Sequence, residues 1–351
     1  MIRFVSLNTM SRITLLVQVA LLLSASVQAV ELLPYQGTVR PQMEDDFTLL
    51  QKTFTSGKGT EFNALNRLHS ATENTSNDVA EWTSLLYAHL LLEQDSLLKA
   101  EQLLVDARNV SSLWLKSYRM CLLGTLSSVR GQYIVANTQF SKALTEAKDV
   151  ADLKILIGQS SADNLRRKDD LDESLKQWIE VLAASEMSKD SMAIADSYFG
   201  RGITRLSLGE FDLAKKDITI SLRYFTRVKA IKRKANGFTA LAHVGYAKGD
   251  YQNAIENGLL GFELSRKVND VKGEAESLHN LALAYMGLEN WNQALKYLDR
   301  AVQLKTQSSQ QIQLAAVLNS IGTCRQKLGQ PSEALKYFEL ALEKGKESGS
   351  I

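Results

Sequence analysis

Proline is almost missing from this chain: three in 351 residues, Pro34, Pro41 and Pro331, all near the ends. Nothing between Pro41 and Pro331 therefore forbids helix. Cysteine is scarcer still. Cys121 and Cys324 lie about 200 residues apart, too far for a disulfide in an elongated array, and both sit in apolar stretches that suit small buried side chains. Excess charge is absent too, since the 41 basic residues face 39 acidic ones and Arg3 and Arg12 account for the difference. Such a neutral chain has no general attraction for nucleic acid. Catalytic signatures are also lacking: there is no phosphate-binding Gly-rich loop, His-Glu-x-x-His, Cys-x-x-Cys or Gly-x-Ser-x-Gly, and Gly57-Lys58-Gly59-Thr60 lacks the upstream glycine of a phosphate loop. His69, His89, His243 and His279 occur singly, without the thiolates that a structural zinc site needs. These gaps lead us to expect no enzyme, no metal and no cofactor.

What is present favours helix. Hydrophobic residues make up 45% of the chain, with Leu and Ala foremost and Glu, Lys and Gln between them, enough to fill a large helical core. The first 29 residues are of another kind. Arg3 and Arg12 precede the apolar run Ile13 to Leu23, and small residues follow up to Ala29. A run of about 11 residues suits a signal peptide and falls short of the roughly 20 that span a bilayer. The expectation is export to the periplasm or medium with cleavage near Ala29; retention of the run as an anchor is the alternative.

Internal repetition decides the architecture. Gly131-Gln132-Tyr133 leads to Ala136, Gly209-Glu210-Phe211 to Ala214, Gly249-Asp250-Tyr251 to Ala254, Glu289-Asn290-Trp291 to Ala294, and Gly329-Gln330-Pro331 to Ala334. Weaker copies lead to Ser174, Ala100 and Ala64, and the resulting ladder advances by 36, 36, 38 and then 40 residues at each step. Small residues recur elsewhere in each unit, at Ala88, Gly124, Ala162, Gly202, Ala242, Ala282 and Gly322, and again at Ala107, Ala143, Ser221, Gly261, Ala301 and Ala341. Two helices can lie 8 to 10 Å apart only where such residues face each other. Each unit thus reads as a helical hairpin that needs its neighbours to cover its faces.

The segments Ala275 to Tyr285 and Asn290 to Ala301, with Ala315 to Leu342 close behind, resemble the tetratricopeptide repeat family, in the 40-residue form seen in bacterial extracytoplasmic signalling proteins. The resemblance implies an all-α fold, a right-handed α-solenoid of stacked hairpins with about 7–8 repeats. We divide the chain into a signal peptide (1–29), a linker (30–41), a degenerate first helical pair (42–79), the repeat array (80–345) and a tail (346–351). Units lack the family's usual closing proline and exceed its common spacing, which leads us to expect longer helices and looser junctions.

The family's concave groove binds peptides, helices or small domains and performs no chemistry. Its groove-facing places correspond here to Asn236, Thr239, His243 and Tyr246, then Glu276, His279, Asn280, Leu283 and Met286, then Asn319, Thr323 and Gln326. Earlier repeats place Tyr118, Cys121 and Thr125, then Gln159, Asp163 and Arg166, then Asp196, Phe199 and Ile203 in the same way. Amides and imidazoles offer donors and acceptors to an extended backbone, while Tyr246 and Met286 offer apolar contact. Where chaperone-binding relatives carry a Lys, Asn and Arg clamp, this chain has Thr239 and His243, Asn280, and Ala316 and Ser320; recognition of a chaperone's acidic terminus is not expected. Arg223, Arg227, Lys229, Lys232, Arg233 and Lys234, with Tyr224 and Phe225 between them, suit either phosphate or lipid headgroups or a solvated helix end.

The expected function is a non-enzymatic adaptor outside the cytoplasm that binds a protein or peptide but no nucleic acid. The second reading begins from the last hairpin, which ends at Glu343 without a polar cap and so leaves a face for a partner or a second copy. On that reading the chain is the sensor portion of a split or truncated signalling protein, of the diguanylate cyclase or histidine kinase type, working with a membrane-associated signalling partner.

Overall fold

The computed structural model describes residues 84–347, apart from 86, 90, 93–95, 107–112, 148–149 and 308–310. The expected leader, linker and first helical pair, with Ala64, Ala107 and the residues after 347, lie outside the described residues. Every regular element among the described residues is a helix. After helical residues at 84–92 come α1 (Leu97–Asp106), α2 (Leu113–Val129), α3 (Tyr133–Ala147), α4 (Ala151–Arg167), α5 (Leu171–Ser188) and α6 (Ser191–Ser207). Then follow α7 (Phe211–Arg227), α8 (Ile231–Ala247), α9 (Tyr251–Lys267), α10 (Val271–Gly287), α11 (Trp291–Gln307), α12 (Gln311–Lys327) and α13 (Pro331–Glu347).

From α6 onward each helix has 17 residues and each connection has three, so a hairpin with its two connections occupies the 40 residues of the period. A 17-residue helix is about 25 Å long. The longer helices expected from the wide period are thus present. The looser junctions are not, because connections between hairpins are as short as those within them. Both kinds place one residue in the left-handed region: Gly131, Asp169, Gly209, Gly249, Glu289 and Gly329 inside hairpins, and Lys189, Lys229 and Asn269 between them. The following amide then reaches back over the helix end, as in Asp250 to the Gly245 carbonyl at 2.8 Å and Asp270 to that of Ser265 at 2.9 Å. This closure satisfies the terminal carbonyls and turns the chain sharply without proline.

Two compact units divide within α6, after Thr204, and residues 227–229 group with the first. In the first unit α1 packs on α2, α2 on α3, α3 on α4 and α4 on α5, while α2 also touches α4. Leu104, Leu115, Tyr118, Leu122, Phe140 and Ile157 form its core. In the second unit each helix from α8 to α13 packs on the next, and the first helices α8, α10 and α12 also touch in succession. Leu278, Leu298, Val317, Ile321 and Cys324 are central there.

The small-residue ladder lies at these crossings. Ala100, Ala136, Ser174, Ala214, Ala254, Ala294 and Ala334 are all buried, as are their counterparts Ala88, Ala162, Ala242 and Ala282. Two glycines show why size matters. A Cβ on Gly124 would stand 2.6 Å from the Phe140 ring, and one on Gly322 would stand 2.5 Å from that of Phe338, well inside van der Waals contact. Both cysteines are free and buried, and burial pushes the Cys121 thiol up to about 12 and the Cys324 thiol up to about 11.

Candidate functional site

The face shared by α8, α10 and α12 carries the residues singled out from the sequence. On α8, Lys232, Asn236, Thr239, His243 and Tyr246 follow one helical stripe, and on α10 Lys272, Glu276, His279, Leu283 and Met286 follow another. These stripes play two physical roles.

Some members tie one repeat to the next. Thr239 is buried; its hydroxyl lies 2.7 Å from that of Ser277 on α10 and 3.1 Å from the Ala235 carbonyl. Asn280 donates its amide to the Thr239 carbonyl at 3.1 Å. Further along, His279 Nε2 lies 3.1 Å from Ser320 Oγ on α12, and the Ser320 hydroxyl donates to the Ala316 carbonyl at 3.1 Å. The Ala316 carbonyl and His279 Nε2 thus share one hydroxyl, and the His279 tautomer sets the direction of the second bond. Burial, reinforced by Lys305 and His243, lowers the His279 pKa to about 4. Lys305 itself is only 2% exposed.

Other members face outward. His243 and Asn319 are exposed and Asn236 is half-buried. Thr323 is half-buried and its hydroxyl donates to the Asn319 carbonyl at 3.1 Å. Tyr246 packs beside Tyr251 with ring centroids 6.2 Å apart, and Glu276 is half-buried. The face therefore combines a lower layer of committed polar groups with an upper row of amide, imidazole, phenol and thioether side chains.

The first unit uses the same device separately. Gln159 donates to the Ala193 carbonyl at 3.1 Å and to Ser197 at 3.2 Å, Cys121 lies 3.8 Å from Ser160, and His89 lies 2.6 Å from the Tyr118 hydroxyl. Tyr118 and Cys121, expected to line a groove, are instead 1% exposed core residues, because the first packs on His89 of the helical residues at 84–92 and the second on Ser160 of α4. Asp163 binds Arg166 at 2.7 Å and Arg167 at 2.6 Å. Burial would raise its pKa, but the two guanidinium groups outweigh that and bring it to about 2. Sequence reasoning missed Ser277 and Lys305, and met Ser320 only as a place where the chaperone clamp is lacking. The serines had a signal, for their partners lie 38 and 41 residues away, close to one repeat.

Of the basic cluster, Phe225 is fully buried and belongs to the core. Lys232, Arg233 and Lys234 occupy the first turn of α8, which has no acidic residue and no side-chain cap. That is the positive end of the helix dipole, so a favourable helix-terminus interaction explains Arg227 in the last turn of α7 but not these three. Among the described residues no group of three or more His, Cys, Asp or Glu could hold a metal ion, and no helix is long and apolar enough to cross a membrane.

A family model described as tetratricopeptide repeat matches residues 273–347. Tetratricopeptide repeat protein 29 of Macaca fascicularis is 28% identical over 90 residues, and that of Homo sapiens 29%; each match covers 26% of this chain and 19% of the relative. The chain thus matches about a fifth of the length of these relatives. Among solved structures, a Rap protein complexed with Competence and Sporulation Factor aligns with TM-score 0.70 and 13% identity, covering 90% of this chain and 89% of that one. The Cut9–Hcn1 hetero-tetramer of the APC/C aligns with TM-score 0.61 and 18% identity over 88% of this chain and 54% of that one. The apo quorum sensor NprR from B. thuringiensis gives 0.53 and 14% over 86% and 97%. Residues 273–347 thus match the tetratricopeptide repeat model, and the helical hairpins with their buried ladder of small residues carry an all-α fold like that of these solved structures through the described residues.

Proposed function

We propose that this protein is a non-enzymatic adaptor that holds a peptide or protein segment on the face formed by α8, α10 and α12. The observation that carries this reading is the two-layer arrangement. Thr239, His279 and Asn280 fix the spacing of the first helices, and Asn236, His243 and Asn319 lie above them, with Tyr246 and Met286 half-buried against the edge of the core. Amides can pair with an extended backbone, and a thioether and a phenol adapt to apolar side chains. Similarity of fold to a Rap protein that was captured with a partner factor, and to a quorum sensor, supports a ligand-holding role.

The test is selection of peptides from a random displayed library on the full chain, followed by affinity measurement. His243→Ala with Asn319→Ala should weaken selected peptides about tenfold or more while helicity is kept, since each removes about one ligand hydrogen bond. Asn280→Ala is a poor probe because it breaks a tie between repeats. Selected peptides that bind the double variant as well as the parent would end this assignment.

We also propose that the protein works outside the cytoplasm. Support comes from Arg3, Arg12, the run Ile13 to Leu23 and the small residues up to Ala29. N-terminal sequencing of the protein recovered from the periplasm or medium should begin at Val30; a chain found only in the cytoplasm, still beginning at Met1, is the contrary result.

A further inference from the structure

The last two turns of α8 and α10 carry an apolar seat within the candidate face. Tyr246 supplies it on α8, and Leu283 and Met286, one turn apart, supply it on α10; all three are half-buried. Tyr251, the first residue of α9, joins the two helices beneath it. Its ring lies beside that of Tyr246, with centroids 6.2 Å apart, and against the α10 backbone at Gly287, where a Cβ would collide with it. Tyr246 also packs on a cluster that includes Leu281 and Ala284 of α10. The phenol and the end of α10 that bears Met286 thus share one aromatic floor.

Charge is missing from these turns. Residues 239–246 of α8 and 279–286 of α10 include no Asp, Glu, Lys or Arg, and residues 319–326 of α12 include only Arg325, which is held by Gln330 at 2.9 Å and Glu333 at 3.4 Å. Burial lowers the pKa of His243 and of His279 below the ordinary 6.5, which keeps both rings neutral at pH 7. Lys305, close enough to act on His279, is only 2% exposed. On the same stripe of α10, Glu276 stands seven residues before Leu283, about 10 Å along the helix. The repeat does not demand this lack of charge, for the corresponding turns of α4 and α6 hold Asp163, Arg166, Arg201 and Arg205. Beside its apolar side chains the seat offers neutral hydrogen-bonding groups, with His243, Asn319 and Gln326 exposed and Thr323 half-buried.

We propose, resting on the peptide-holding reading of this face, that it selects one large apolar side chain of the ligand, Leu, Ile, Met or Phe, which settles on Tyr246, Leu283 and Met286 while His243 and Asn319 bond the uncharged backbone beside it. A carboxylate or ammonium brought onto the seat loses water with no opposite charge on these turns to meet it, whereas an apolar side chain gains by leaving water. An apolar centre rimmed by neutral polar groups is also the arrangement in which a single buried anchor supplies most of the affinity.

Peptides selected from a random displayed library on the full chain should share one such apolar position. In synthetic copies of a selected peptide, Ala at that position should weaken binding about tenfold or more, the factor expected for a buried side chain of this size, and Asp or Lys there about a hundredfold. Leu283→Ser and Met286→Gln, each with helicity unchanged, should weaken the parent peptide about tenfold and its Ala copy far less. Such coupling distinguishes contact with the ligand from a general loosening of the face, and either variant alone suffices if the other loses helicity. Peptides that need His243 and Asn319 yet tolerate Ala or Asp at every apolar position would overturn the proposal and leave the peptide-holding reading intact. A shared charged residue in place of the apolar one, or losses from peptide and protein changes that simply add, would do the same. Peptides indifferent to His243 and Asn319 would end that reading and the apolar seat with it.

Discussion

Glu289 turns the chain with φ 57° at the place where four other hairpins have glycine at φ 75° to 79°. A residue with a Cβ pays about 1 kcal/mol or more in that region, whereas glycine enters it freely and loses some of the gain through its looser unfolded state. Glu289→Gly should therefore stabilise the protein by about 0.5–1 kcal/mol, seen as a higher urea midpoint; a lower midpoint would show that the Glu289 side chain has a role of its own. His279 gives a prediction with pH. Its folded pKa near 4 lies below the ordinary 6.5, so between these values the unfolded chain binds the extra proton. Stability is then complete above pH 6.5 and falls as pH drops toward 4. The loss attributable to this residue is about 2 kcal/mol after allowing for its partial exposure, and urea titrations from pH 7 to pH 4 should show a shallower decline for His279→Gln. At this scale the turn glycines were readable, because positive φ selects for them. The commitment of Asn280 was not, since its acceptor is a backbone carbonyl and a carbonyl leaves no mark on residue identity.

The helix pair is the element at which size is selected. Gly322 on α12 faces the ring of Phe338 on α13, and neither helix can withdraw without parting buried Ala334 from its crossing. Gly322→Ala should cost about 2 kcal/mol through overpacking. Adding Phe338→Leu to Gly322→Ala should recover part of that loss, a coupling read from a double-mutant cycle in urea; strictly additive costs would mean that the ring is not what the methyl group strikes. Pairing of helices was legible for the same reason, as a crossing that admits only Ala, Gly or Ser writes its period into the sequence. The tightness of the junctions was hidden. Lys189, Lys229 and Asn269 take the left-handed conformation without being glycine, and the absence of proline pointed toward slack that the back-reaching amides remove.

From α1 to α5 in the first unit and from α8 to α13 in the second, each helix packs on the next, and stability in such an array is a sum of local terms. Disturbance at one hairpin should stay there. Hydrogen exchange of Gly322→Ala should accelerate across 311–347 while the amides of 113–167 keep their protection; acceleration spread evenly over the chain would reveal a cooperativity that nearest-neighbour packing does not supply. At this scale the all-helical architecture was written plainly in the spacing of small residues. The candidate face was legible only in part, because the sequence shows which stripe a residue joins but not whether a neighbouring repeat already holds its polar atoms.

The 20-residue stride of helix plus connection has a consequence for how such a chain can grow. Residues 251–290 comprise α9, α10 and the two connections that follow them, and both cut points fall at the same kind of joint. Recombination that duplicates this block splices like to like and invents no new interface, so the row of first helices can be lengthened or shortened in whole modules while the rest of the gene stays unaltered.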